Sequence, residues 1–301
     1  MAKTRRAGGL RSKFGFNVIL ILPLQVILNF ILLVPFALAI YLSLTNWSPI
    51  VGQWYQAPIV GGQNYISILS TPRFQNAILN TLVIMGGAVT LEFAIGLILA
   101  LAFFSWDFRG KPVFASIFLI PMMVIPAISG FTFQTIFSTQ GALNDIMTRL
   151  TGTTVQVDWL HVPWSALLAV ILADVWQWTP FMFLLLYAGM TALPSDPIRA
   201  ARVMGASERQ IFRRIILPML KPIITIALII RSLEAFKIFD VPFIMTQGGP
   251  GTTTETISIF LYLAAIKFAR VAWASAGAII IFIVIVIVTL RASRSLLPKA
   301  E

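Results

Sequence analysis

Apolar residues along this chain fall into long runs, separated by shorter polar or turn-rich connections. A membrane span needs roughly 20 mostly apolar residues, and six stretches qualify: 16–44, 77–104, 113–137, 164–193, 219–245 and 271–290. The pattern predicts an all-α membrane protein of about six transmembrane helices. Its membrane domain covers 16–291, between a basic tail at 1–15 and a short tail at 292–301. Pro23, Pro35, Pro121, Pro126 and Pro180 fall inside the apolar stretches, which is tolerable where neighbouring helices satisfy the freed carbonyls.

Composition excludes a soluble reading of these runs. Hydrophobic residues make up 58% of the chain and charged residues only 11%, against about 25% charged in an ordinary soluble domain. The net charge of +11 is not a nucleic-acid footprint, because that needs a basic patch on a soluble surface. Lys and Arg instead sort by side. Sixteen lie in the N-terminal tail (Lys3, Arg5, Arg6, Arg11, Lys13), the second connection, the fourth connection and the C-terminal tail (Arg291, Arg294, Lys299). Four, Arg73, Arg149, Lys267 and Arg270, lie on the other side. By the positive-inside rule both termini and the fourth connection are expected in the cytoplasm. The N-terminus also resembles a signal peptide with Ala37-Leu38-Ala39 as its cleavage site. Its apolar run, however, is roughly twice the 7–15 residues of a signal core.

The fourth connection, 194–218, is more ordered than a simple turn. Asp196 is placed to cap a helix starting at Pro197, where the missing N–H costs nothing. Gly205 suits the left-handed position that ends such a helix. Ser207-Glu208-Arg209-Gln210 reads as a capping box opening a second helix through Phe212, with small Ala200, Ala201 and Ala206 around the bend. A helix–bend–helix of this kind can receive another protein or rest on anionic lipid through its arginines.

Ionisable residues at membrane depth are costly and face a protein interior or water-filled cavity. The fifth stretch carries Arg231, Glu234, Lys237 and Asp240, with signs alternating at i, i+3. This predicts a self-pairing ladder along one helix, some of whose members reach a pathway. In the fourth stretch Asp174, Gln177 and Trp178 share a face, and Trp176 is close by. Rings beside hydrogen-bonding groups suit a sugar, although Trp is equally a core and interface residue. Glu92, alone in the second stretch, is either a partner for Arg231 or a pathway group. The lone His161 reads as an interfacial residue, and with no Cys in the chain no metal site is expected.

Leu193-Pro194, Arg199-Ala200-Ala201, Gly205-Ala206 and Ile215-Ile216-Leu217-Pro218 together resemble the EAA loop of permease subunits of bacterial ABC importers. Asn64-Tyr65, Asn80-Thr81, Gly141-Ala142-Leu143-Asn144, Thr179-Pro180-Phe181, Phe236–Asp240 and Thr246-Gln247-Gly248-Gly249-Pro250 resemble the carbohydrate-import branch, the maltose-type first permease subunit. The resemblance implies a type I importer permease fold in the bacterial inner membrane. It implies four kinds of partner: a second homologous permease, two ATPase subunits, an extracytoplasmic sugar-binding protein and the lipid bilayer. ATP and Mg would be bound by the ATPase and no cofactor by this chain. Arg199, Ala200, Ala201, Met204, Gly205, Ala206, Ser207 and Phe212 would form the docking loop. The family's usual Glu is Arg199 here, and its acidic residue before the glycine is Met204, so the usual carboxylate contact must be replaced.

No catalytic arrangement emerges. The chain lacks G-x-x-x-x-G-K-[ST], H-E-x-x-H and G-x-S-x-G, so ATP hydrolysis is expected elsewhere. Two other classes remain open to these residues: an intramembrane enzyme using membrane acids, and an ion-coupled secondary transporter using Glu92, Asp174 or Glu234.

Overall fold

The computed structural model describes residues 9–106 and 108–294. Residues 1–8 and 295–301, which include Lys3, Arg5, Arg6 and Lys299 of the two tails, lie outside the described residues. Helix accounts for nearly all the regular structure, and the described residues hold only one isolated bridge, Thr45 with Ile59. Among the described residues five helices are long and apolar enough to cross a membrane, and a bent pair supplies a sixth crossing if counted as one span.

The chain divides into two compact units. Among the described residues the first contains 9–68 together with Ala264–Ile281. It holds α1 (Gly9–Ser43), most of α2 (Gln63–Leu69) and the start of α14 (Val271–Arg294). The Ala37–Ala39 segment lies inside the unbroken α1. The α1–α2 connection is pinned by side chains: Asn64 Nδ2 donates to the carbonyls of Ser43 and Thr45 at 2.9 and 2.7 Å. The hydroxyls of Ser43 and Tyr65 meet at 2.6 Å. In the same unit the Arg270 guanidinium lies 4.0 Å from the Trp273 ring centroid, and Trp273 Nε1 donates to Ser67 Oγ at 3.2 Å.

The second unit contains Leu69–Leu263 and the end of α14. Its frame is α3 (Pro72–Ser105) against α8 (Pro163–Thr191), with α11 (Leu217–Phe236) packed on both. The central helix is α8: 61% of its apolar window is buried, against 28% for α3. Where α8 meets α11 the approach is close enough that a side chain at Gly189 would force its neighbours to shift. A Cβ on Gly189 would stand 2.7 Å from Ile223 Cδ1 and 3.0 Å from Leu220 Cδ1. Helices in lipid gain contact by such close approach, since no hydrophobic gain separates helix from lipid.

Two expected spans are not single helices. The stretch 113–137 is α4 (Lys111–Phe118), α5 (Ile120–Met123) and α6 (Pro126–Ile136), bent by 92° at 124–125. Ile125 is extended, as the residue before a proline prefers, and Pro126 opens α6 without an N–H to satisfy. The stretch 219–245 also breaks: α11 ends at Phe236, and α12 (Asp240–Thr246) starts after a three-residue gap. The Thr256 and Ser258 hydroxyls donate to the carbonyls of Ile238 and Lys237 at 3.0 and 3.1 Å. A continuing helix would have bonded the Lys237 carbonyl to Val241 but left the Ile238 carbonyl without a donor, because residue 242 is proline. The remaining helices are α7 (Ala142–Thr151), α9 (Ser195–Val203), α10 (Glu208–Ile211) and α13 (Ile257–Tyr262).

Candidate functional site: a broken-helix cavity and a two-helix loop

The break after α11 opens a cavity of about 200 Å³, lined by residues from α6, α8, α11 and α12. Of the residues singled out in the sequence, Asp174, Gln177, Trp178, Glu234, Lys237 and Asp240 all line it, together with Arg231. Glu92 stands behind this wall, fully buried. Trp176 does not belong to the cavity: 41% exposed on another face of α8, it packs on Phe133 with ring centroids 5.4 Å apart. His161 and Asp158 pair at 2.7 Å at an exposed position near the start of α8.

The expected ladder does not form. Arg231 turns away from Glu234 and enters the helix interface. Its Nε donates to Glu92 Oε2 at 2.7 Å and its Nη2 to Glu92 Oε1 at 2.8 Å. Nη2 also donates to Asp174 Oδ2. The physical reason is burial: a guanidinium at 1% exposure needs several charge-assisted bonds, and one carboxylate three residues along cannot supply them. Arg231 therefore joins α3, α8 and α11, and its guanidinium also lies 5.1 Å from the Trp178 ring centroid. Only the outer rung survives, with Lys237 Nζ donating to Glu234 Oε1 at 3.0 Å between half-exposed side chains.

Gln177 ties the cavity to the bent span. Its Nε2 donates to the Val124 carbonyl at the bend, at 2.9 Å, which fixes the amide orientation. Its Oε1 is buried and has no hydrogen-bond partner. The sequence pattern alone does not reveal Val124 or the bend itself. A signal was present in Pro121 and Pro126, two prolines bracketing a site where the backbone must leave the helix.

At the far end of α8, α9 and α10 form the loop. Asp196 does not cap from outside: α9 begins at Ser195, and Asp196 sits in its first turn, where a negative charge faces the helix N-terminus favourably. Gly205 takes φ +79°, as the sequence predicts. Ala206 N donates to Ala201 O, and Gly205 N to Arg202 O, both at 3.0 Å, the paired bonds of a Schellman turn. The capping box is formed, with Ser207 Oγ accepting from Gln210 N and Gln210 Oε1 from Ser207 N.

Ala201 and Ala206 are small for a reason inside the chain. They close the turn over a cluster of Ile198, Ile211 and Ile216, against which Phe212 also packs. Arg199, Ala200 and Ser207 are exposed, and Val203 and Met204 project at 88% and 79% exposure. Across the bend Arg202 Nε and Nη2 donate to the two Glu208 oxygens at 2.9 and 3.2 Å. That carboxylate holds the guanidinium above its ordinary pKa. This clamp joins residues six apart, a spacing that no single-helix pattern announces.

Residues 2–301 match the family described as binding-protein-dependent transport system inner membrane component. The chain is 35% identical over 251 residues to the trehalose/maltose transport system permease protein MalF of Thermococcus litoralis, covering 83% of each chain. It is 32% identical to the sulfoquinovosyl glycerol transport system permease protein SmoG of Agrobacterium fabrum, over 90% of this chain and 87% of that one. It is 31% identical to the trehalose transport system permease protein SugA of Mycobacterium tuberculosis, over 92% and 87%. The fold is similar to a chain of a bacterial ABC transporter involved in the import of the acidic polysaccharide alginate. That match has a TM-score of 0.79 at 20% identity, covering 96% of this chain and 98% of the other.

Proposed function

The chain belongs to the binding-protein-dependent transport system inner membrane components, and from that premise we propose that it carries a sugar through the cavity beside α12. It is a multi-pass inner-membrane permease subunit of an ABC importer. The observation that carries the sugar reading is convergence. Trp178, Gln177 and Asp174 of α8, Asp240 of α12 and Lys237 from the helix break line one cavity. A ring face beside several hydrogen-bonding groups matches the alternating apolar and hydroxyl faces of a pyranose. Relatives that carry trehalose, maltose or sulfoquinovosyl glycerol in their names support the same class.

Both termini and the 194–218 loop lie in the cytoplasm in this reading, as the distribution of Lys and Arg requires. Arg199, Ala200, Val203, Met204 and Ser207 form the surface received by an ATPase subunit. Met204 offers an apolar knob where a carboxylate is usual, and Arg199 meets an acceptor on the ATPase. Gly205, Ala201, Ala206 and Phe212 hold the shape of that surface. The complete importer contains a second permease, two ATPase subunits that bind ATP and Mg, and a sugar-binding protein outside. Closure of the ATPases would push on the loop, and the unbroken helical path from Glu208 to Phe236 would carry the push to the cavity. Catalysis belongs to the ATPase, not to this chain.

The test is uptake in proteoliposomes containing this permease with its partner permease, ATPase and binding protein. Radiolabelled mono- and disaccharides are expected to enter only with ATP and with every component present. Uptake that survives without the ATPase and collapses with an uncoupler would replace this reading with ion-coupled transport. Uptake confined to amino acids would refute the sugar.

A further inference from the structure

Both cations lining the cavity beside α12 are already held by carboxylates, while two of its acceptors are free. Arg231 is bound by Glu92 and Asp174, and Lys237 by Glu234. With both of its acids ionised the Arg231 cluster carries −1, and with one shared proton it carries 0. The Lys237–Glu234 pair adds nothing. Asp240, exposed and lining the cavity, has no cation within salt-bridge distance among the described residues. In neither state is the cavity net positive.

Gln177 adds an independent pointer to a ligand. Its Oε1 is buried, without a partner, on a side chain 1% exposed that lines the cavity. A buried acceptor left unpaired is costly, and the amide cannot turn to relieve it without breaking the bond from Nε2 to the Val124 carbonyl. A donor from outside the chain would complete it. A sugar hydroxyl or an ammonium group supplies one; a carboxylate, sulfonate or phosphate brings further acceptors and a charge with no free cation to meet it.

We propose that this cavity selects sugars by sign, accepting uncharged or ammonium-bearing sugars and rejecting anionic ones, with Gln177 and Asp240 as the specificity-determining pair. The proposal rests on the cavity being the sugar pathway. The experiment is equilibrium binding to the purified permease–ATPase complex without binding protein. The probes are radiolabelled glucose, maltose and trehalose and their C6-carboxylate (uronate) counterparts. Neutral probes are expected to bind about tenfold or more tightly than the matching uronates, since a single like charge about 4–6 Å away suffices for that ratio at the effective dielectric of a partly exposed site. Asp240→Asn should narrow the ratio. Asp240→Lys, at an exposed position that tolerates the change in size, should shift preference towards the uronates. Equal binding of both probe sets by the unaltered complex, or a ratio unmoved in Asp240→Lys, overturns selection by sign and leaves the sugar pathway standing. Failure of both probe sets to bind overturns the pathway as well.

Discussion

Arg231 Nε donates to Glu92 Oε2 at 2.7 Å, joining α11 to α3 across 139 residues of chain. Both side chains are at most 2% exposed, and Asp174 of α8 completes the contact. Removing one partner of a buried ion pair leaves an uncompensated charge and costs about 3–5 kcal/mol. Arg231→Met strands two carboxyl groups and should sharply lower the thermal unfolding temperature of the purified complex, followed by tryptophan fluorescence. Glu92→Gln keeps an acceptor for Arg231 and leaves Asp174 as counter-ion, so its loss should be clearly smaller. Equal losses from the two variants would mean that the cluster does not hold the three helices together.

A second clamp fixes the segment after α12. Arg73 Nε and Nη2 donate to the two oxygens of Glu255 at 2.8 and 2.7 Å. Asn80 Nδ2 donates to the Thr252 carbonyl at 2.6 Å. Glu255 is buried while the Arg73 side chain is 43% exposed, so Arg73→Ala leaves a buried carboxylate without its cation. The expected cost is about 2 kcal/mol, with faster amide hydrogen exchange confined to 247–256. Faster exchange spread evenly over the chain would instead point to general destabilisation.

Features set by neighbours in sequence were legible in this chain. The lengths of α3 and α8 follow from apolar runs that must cross a bilayer, and the turn at Gly205 and the box at Ser207–Gln210 are local hydrogen-bond patterns. Features set by distant contacts were legible only in part. The apolar run continues past Phe236 through Ile238, Phe239 and Val241, and the local signal against one continuous helix is Pro242, which has no N–H for the Ile238 carbonyl. The hydroxyls that satisfy the Ile238 and Lys237 carbonyls just past its end come from Thr256 and Ser258, 18 and 21 residues away. For Arg231 the sequence offered Glu234 as a local partner and Glu92 as a distant one; the structure forms the Glu92 pair, and the second carboxyl, Asp174, is the part that only the approach of α8 supplies. The aromatic pair of α8 was half legible: spacing put Trp178 beside Gln177, but Trp176 is claimed by Phe133 of α6.

That division gives a clean test of the sugar pathway. Trp178 lines the cavity and covers the Arg231 guanidinium; Trp176, two residues away, does not line it. Trp178→Ala should reduce sugar uptake at least about tenfold, in line with the loss of one stacked ring and its cation contact. Trp176→Ala should leave uptake within about twofold. The comparison is made at matched amounts of assembled complex, so that a folding defect is not scored as lost transport. A larger loss at Trp176 would move the pathway to the α6 side of α8.

The loop separates shape from surface in the same way. Gly205 holds φ +79°, and the space that a Cβ would occupy there is open, with no atom within 4 Å. A side chain at this position therefore meets strain in the backbone rather than a clash inside the chain. A β-branched residue is poorest in that region, at a cost of about 1–2 kcal/mol. The strain would unwind the Schellman turn and displace Val203 and Met204. Gly205→Val should therefore reduce co-purification of the ATPase and ATP-dependent uptake while the permease stays folded in the membrane. Gly205→Asn, which tolerates the left-handed conformation, should retain most of both. Met204→Asp changes the exposed surface and leaves the turn intact, so it separates the two effects. If Gly205→Val left ATPase co-purification and uptake unaffected, the loop would not be a docking element, and its arginines would be left to lie on anionic lipid.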